Sequence, residues 1–305
     1  MRPLIPAALS AAAAFALLTS CQTTSAPTGI TAYTPSYNTA PEPQFAPEPA
    51  PPPFSGSSEL HRGEPQIRAA CYFMVNPDNG QVLAARNADM PHAVASTQKI
   101  LTALVVCDEG DLNHLVRIAP SDVAVEPSKL GVRPGEVYTR RELVTAFLVK
   151  SANDVANALA RDNAGSIPAF AEKMNAKARS LGAFNSHFSN PHGLNAPGQY
   201  STARDMARIA LAAYHNPVIR DAVRQRYHSF RYASGRVATL ENTNELLGKM
   251  PACDGMKTGY TGTAGRCLIS TAHHYGRDVL LVQLGTHTKY IWDDGAAMMS
   301  WGLMQ

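Results

Sequence analysis

The sequence predicts an α+β fold: one antiparallel sheet flanked by helices, with its strands drawn from both ends of the folded region and a mainly helical lobe inserted between them. Three observations carry this. Short runs rich in β-branched and aromatic residues, bounded by turn residues, lie before residue 87 and again after residue 226. Between them, from about 96 to 225, apolar residues recur at helical spacing. The chain shows no internal repeat, so the two sets of strands belong to one sheet rather than to copies of a unit.

Taken in order, the chain opens on a charged start, the apolar run "LIPAALSAAAAFALL" and small residues ending at Cys21. That is the pattern of a secretory signal over residues 1–21, too short for a stop-transfer span. Leu18-Thr19-Ser20-Cys21 resembles the lipobox of bacterial lipoproteins, which implies lipidation at Cys21 and a membrane anchor of several acyl chains. An ordinary signal cut near Ala26 is the alternative. Residues 22–64, with "APEPQFAPEPAPPPF", are proline-dense and have little to bury, so they are expected to form an extended, disordered linker. Residues 65–305 suit one domain with a sizeable core.

"AACYFMVN" and "QVLAARN", joined by "PDNG", predict a hairpin. "ASTQKILTAL" then starts a helix that is apolar almost all round from Ile100 to Cys107, the mark of burial. "RRELVTAFLVK" and "PAFAEKMNAKARSLG" follow at helical period, the second opened by proline and closed by glycine. "STARDMARIALAAYH" is another helix, capped by Ser201 or Thr202. Strands return in "RYHSFRY", "DGMKTGYT", "GRCLISTAHH" and "DVLLVQLGT". "DDGAAMMSWGL" closes the chain as a helix with an interior glycine as its weak point. A cleft between lobe and sheet is the place for a site.

A net charge of +3 without a basic block gives nucleic-acid binding no support. The histidines show neither His-Glu-x-x-His nor a cysteine–histidine cluster, so no metal or other cofactor is expected. Export permits disulfides among Cys71, Cys107, Cys253 and Cys267, with three full pairings possible. Cys107, on the buried helix, is expected as a small core residue, and Cys253 and Cys267, flanking one hairpin, are the pair to expect if one forms.

Three short patterns carry chemistry. Ser96 and Lys99 stand three apart on one helix face, where a lysine of lowered pKa can take the proton of a serine nucleophile. Ser96 at a helix start would also bring backbone N–H groups to a developing oxyanion. Alone, the pair reads better as a capping serine followed by a solvated lysine. Ser151 and Asn153 in "KSANDVANALA" would relay protons and hold a substrate peptide group, or would merely cap the next helix. The same triplet spacing at Ser36 and Asn38 shows how little it means by itself. In "DGMKTGYTGTAG", Lys257 offers positive charge, Thr258 a hydroxyl donor, and Gly259 a strand glycine that permits close approach. The bland version is a glycine-rich hairpin with one exposed lysine.

Together and in this order, Ser-x-x-Lys, Ser-x-Asn and Lys-Thr-Gly are the motif set of penicillin-binding proteins and class A β-lactamases. Residues 66–304 resemble the low-molecular-weight penicillin-binding proteins of the D-alanyl-D-alanine carboxypeptidase family. "ASTQKILTALV", "SANDVANALA", "FSNPHGLNAPGQYSTARDMARIA" and "DGMKTGYTGTAGRCLISTA" carry the likeness. The resemblance implies a β-lactamase/transpeptidase-like fold. It implies Ser96 as acylated nucleophile, Lys99 as general base, Ser151 as proton relay, and Asn153 and Lys257 as partners in that network. Thr258 would help bind the terminal carboxylate, beside Gly259, and the N–H groups of Ser96 and Tyr260 would form the oxyanion hole. The substrate would be peptidoglycan stem peptides ending in D-Ala-D-Ala, and β-lactams would be covalent inhibitors. His192, in "NPHGL", is expected to be loop architecture.

The family often adds a β-rich domain and an amphipathic C-terminal anchor; here the lipid at Cys21 would anchor instead, on the periplasmic side of the envelope. Gln22 points to outer-membrane sorting by analogy. The family's arginine near the last helix is replaced by "KYIWDD". Alternatives are a D,D-endopeptidase with the same residues, then a serine β-lactamase, whose Glu-x-x-Leu-Asn pattern is not evident after Ser151, then a non-catalytic cell-wall-binding lipoprotein.

Overall fold

The structure is a computed structural model and describes Phe54, Ser55 and residues 63–305. Cys21 and most of the linker lie outside the described residues. The chain starts with the expected hairpin, β1 (Cys71–Val75) and β2 (Val82–Arg86). After a 3₁₀ turn, Ala95–Gln98, comes α1 (Lys99–Glu109). The lobe follows: β3 (Leu115–Arg117), α2 (Pro120–Val123), β4 (Val137–Thr139), α3 (Arg140–Lys150), α4 (Asn153–Ala164), α5 (Ile167–Ser180), α6 (Ala203–His215) and α7 (Pro217–Val223). The hairpin β5 (Tyr227–Arg231) and β6 (Val237–Glu241) and the short α8 (Leu246–Lys249) lead to β7 (Cys253–Thr261), β8 (Gly265–His274), β9 (Arg277–Thr286) and α9 (Ile291–Gly302).

The main sheet has the order β2-β1-β9-β8-β7, antiparallel throughout. First and last strands of the sequence therefore meet at the β1–β9 seam, as the α+β expectation requires. Alternation along the strands sorts side chains to two faces. Phe73, Val75, Ile269, Val282 and Leu284 join the core of the helical lobe, while Tyr72, Met74, Leu268 and Leu281 pack with Met298, Met299 and Trp301 of α9. Burying both faces removes several large apolar side chains from water, each worth about 1.5–3 kcal/mol.

The helices have local causes. α3 carries a capping box, with Thr139 Oγ1 accepting from the Glu142 N–H at 3.2 Å and Glu142 accepting from the Thr139 N–H at 2.8 Å. Thr202, rather than Ser201, caps α6 by accepting from the Asp205 N–H at 3.0 Å.

Several expectations need correction. "RYHSFRY" forms β5, but it pairs only with β6, an unforeseen strand, in a separate two-stranded sheet. Short β3 and β4 pair inside the lobe as well. Neither Ser151 nor Asn153 caps α4: the N-cap is Ala152, and Asn153 is the first helical residue. At Gly295 of α9 a Cβ would lie 2.9 Å from Gln283 Oε1 and 3.3 Å from Leu246, so the glycine lets the helix close onto the sheet. Cys71, Cys107, Cys253 and Cys267 are all free thiols, so Cys253 and Cys267 do not pair. In the hairpin, Cys253 stands opposite Ala272 and Cys267 opposite Gly259, at different heights of the ladder. Cys107 is only half-buried at the edge of the core. Phe54 and Ser55, expected in the linker, are attached: Ser55 donates its N–H to Gly80 O at 3.0 Å, and Phe54 packs on Phe73 at 4.9 Å.

Candidate active site

The 3₁₀ turn that carries Ser96 lies against β7, the edge strand. Ala95 enters it at φ +48°, a left-handed conformation that a non-glycine residue holds only under tertiary constraint. The constraint is visible on both sides. A Cβ on Gly259 would lie 2.8 Å from Ser96 N and 3.0 Å from Thr97 N, and one on Gly193 would lie 2.1 Å from Ala95 O. Two glycines thus let a strand and a loop press on the turn from either side.

Ser96 Oγ stands 2.8 Å from Lys99 Nζ and donates to His192 O at 3.2 Å. Lys99 is 0% exposed; its amine also donates to Asn153 Oδ1 at 2.8 Å and to the carbonyl of His192. Burial, then the nearby Lys257 charge, holds the Lys99 amine well below the ordinary lysine range, with Asp154 opposing. Lys257 forms a second group. It donates to Ser151 Oγ at 2.8 Å and to Thr258 O at 3.0 Å, and burial brings it down to about 7. Ser151 reaches it from a left-handed C-cap position after α3, at φ +62°. Thr258 Oγ1 donates to Thr243 Oγ1 at 2.6 Å. Tyr260 is 58% exposed, its ring under the Arg266 guanidinium at 4.7 Å.

The structure therefore gathers Ser96, Lys99, Ser151, Asn153, Lys257, Thr258, Gly259 and Tyr260 around one junction of lobe and sheet. Asn153 has protein partners on both ends of its amide. Its Nδ2 donates to Glu126 O at 2.9 Å and Pro127 O at 3.1 Å, and its Oδ1 accepts from Lys99, which leaves one acceptor site on that oxygen. It orients the lysine and ties down the neighbouring loop.

His192 is architecture, as expected, but through its carbonyl, the acceptor shared by Ser96 and Lys99. Its ring is pushed down to about 3 by burial and the Lys99 charge. Asn190 Oδ1 holds the loop by accepting from Gly193 N at 2.8 Å and His192 N at 3.2 Å. Two residues were missed in the sequence. Asp154, 0% exposed, accepts from Leu130 N and Gly131 N, both at 2.9 Å, and anchors the loop that Asn153 holds. A buried acid beside Asn153 was a signal that could have been followed. Thr243 had no such signal.

A buried lysine beside a serine, at the seam of an antiparallel sheet and a helical lobe, belongs to the class of penicillin-binding proteins and serine β-lactamases. Residues 58–288 match the family described as D-alanyl-D-alanine carboxypeptidase, Peptidase_S11, and the chain belongs to that family. It is 38% identical over 244 residues to the D-alanyl-D-alanine carboxypeptidase DacB2 of Mycobacterium tuberculosis, covering 78% of this chain and 83% of that one. To DacF of Bacillus subtilis it is 32% identical over 246 residues, and it spans only 63% of that relative's length. Among solved structures, a D-alanyl-D-alanine carboxypeptidase of M. tuberculosis H37Rv superposes with TM-score 0.76 at 34% identity, over 85% of this chain and 97% of that one. The Streptomyces K15 DD-transpeptidase gives 0.75 at 29% identity, over 79% and 99%.

Proposed function

We propose that this protein is a serine-type D-Ala-D-Ala carboxypeptidase that trims peptidoglycan stem peptides through an acyl-enzyme on Ser96. The observation that carries the reading is the 2.8 Å approach of Ser96 Oγ to a fully buried Lys99 amine. A neutral Lys99 accepts the Ser96 proton as Oγ attacks the carbonyl of the penultimate D-alanine. The N–H groups of Ser96 and Tyr260 take the oxyanion. The peptide C–N bond breaks, the departing nitrogen takes a proton delivered through Ser151, and D-alanine leaves. Water then hydrolyses the ester. A β-lactam reaches the same ester by opening its ring and stays attached, since no separate leaving group departs.

Two readouts test this. Incubated with muropeptides, the protein is expected to remove one D-alanine, 71 Da after allowance for added water, from pentapeptides, giving tetrapeptides by mass. Conversion of cross-linked dimers to monomers would instead establish the endopeptidase alternative. Formation of new dimers would establish acyl transfer to an amine, the activity named for the Streptomyces K15 structure.

The pH profile supplies a second check. Only the neutral amine accepts a proton, so the competent fraction grows as pH rises through the Lys99 pKa. Burial and the Lys257 charge place that pKa well below the usual lysine value. The acid limb of kcat/KM is therefore expected far below pH 10, and activity should decline as Lys257 loses its charge above about pH 7. An acid limb near pH 10 would remove Lys99 from the role of base.

The same reading places the protein on the periplasmic side of the envelope, anchored by a lipid on Cys21 and in the outer membrane. The support is the signal pattern of residues 1–21. Cys21→Ser is expected to move the protein from the membrane pellet to the soluble fraction. Retention in the pellet would argue against lipidation there.

A further inference from the structure

Thr243 lies in "ENTNE", between two asparagines that are almost wholly buried. Asn242 Nδ2 donates to Val223 O at 3.2 Å and Gln225 O at 2.9 Å, and its Oδ1 accepts from Asn244 N at 2.9 Å. Asn244 Nδ2 donates to Gly255 O of β7 at 2.9 Å, while its Oδ1 accepts from Leu246 N at 3.1 Å. The Thr243 N–H donates to Val149 O at 3.3 Å, two residues before Ser151. This short segment is thus bolted to α3, α7 and β7 at once. Between the two bracing asparagines, the Thr243 side chain is left for another partner, and its hydroxyl meets the Thr258 hydroxyl at 2.6 Å.

A hydroxyl is one donor and two acceptor sites, so a pair of them can run in either direction. In the free protein Thr258 donates to Thr243. With an anion beside Thr258, the pair reverses: Thr243 donates to Thr258 Oγ1, and the Thr258 proton turns to the anion. Donation into Thr258 Oγ1 polarises its O–H and makes it the stronger donor. The rigid bracket keeps the second hydroxyl in place throughout.

We propose that Thr243 is a positioning residue for substrate recognition, its hydroxyl aiming that of Thr258 at the free C-terminal carboxylate of the stem peptide. The inference rests on the carboxypeptidase reading. The probes are diacetyl-L-Lys-D-Ala-D-Ala as the free acid and as its C-terminal amide, cleaved by wild type, Thr243→Val and Thr243→Ser. Valine keeps the shape of threonine and loses the hydroxyl; serine keeps the hydroxyl.

The acid-to-amide ratio of kcat/KM is expected to fall about 5-fold in Thr243→Val and to return within twofold of wild type in Thr243→Ser. A general loss of packing would lower both substrates alike and leave the ratio unchanged. An active wild type whose ratio survives Thr243→Val overturns the inference alone, as does a ratio that serine fails to restore. A wild type inert toward both peptides and toward fluorescent penicillin overturns the carboxypeptidase reading, and this inference with it.

Discussion

Replacing Ser96 by alanine is expected to abolish covalent capture of fluorescent penicillin and to lower D-Ala release by roughly 10⁴-fold or more, the scale seen when a nucleophile is deleted from a working constellation. The fold should survive. Lys99 keeps Asn153 Oδ1 and the His192 carbonyl as partners, so the deletion does not leave the buried amine alone. The two hydrogen bonds lost with this half-buried hydroxyl cost about 1 kcal/mol each, a few degrees in Tm. Gel fluorescence with a melting curve on the same sample separates the two effects. A Ser96→Ala protein that still takes the label would transfer the nucleophile to another residue, with Ser151 the first to examine.

Gly259→Ala should also damage the chemistry, by a smaller factor, while leaving every reactive side chain in place. The added Cβ would sit 2.8 Å from Ser96 N, 3.0 Å from Thr97 N and 3.0 Å from the Ala95 side chain. Two of those atoms are backbone in a turn already held at a left-handed Ala95, so no flexible side chain can swing aside. Either β7 or the turn must retreat, and overpacking of this kind costs about 1–3 kcal/mol. The same retreat moves Ser96 relative to Lys99 and to the Tyr260 N–H. A shift near 1 Å at a reacting centre is worth on the order of 100-fold. The second-order rate of penicillin acylation should fall by about that factor, with Tm down by several degrees. Unchanged acylation in Gly259→Ala would show that strand and turn are not rigidly opposed.

Much of the fold was legible because it rests on local patterns. The helix "RRELVTAFLVK" coincides with α3, since a capping box at Thr139 and Glu142 and apolar spacing act within one segment. The hairpins β1–β2 and β7–β8 follow from alternation and turn residues for the same reason. β6 was not legible. Val237, Thr239 and Glu241 face solvent, and two buried residues, Leu240 and the partner-strand Phe230, are too few to mark a strand. The free state of Cys253 and Cys267 also depends on ladder register, which spacing along the chain does not reveal.

The site divides in the same way. Its motif residues could be named in advance, because a serine and a lysine three apart share a helix face whatever surrounds them. What those residues can do was decided by tertiary structure. The Lys99 pKa is lowered because the amine is buried, and the charge of Lys257, from a distant strand, adds to the effect. The carbonyls of Glu126 and Pro127, from another segment, orient the Asn153 amide. Thr243 acquires a role solely by touching Thr258. Residue identity and short-range geometry belong to the sequence, which determined the family and the serine–lysine pair proposed as nucleophile and base. Desolvation, charge proximity and steric closure act between segments far apart in the chain, and only the folded structure brings those together.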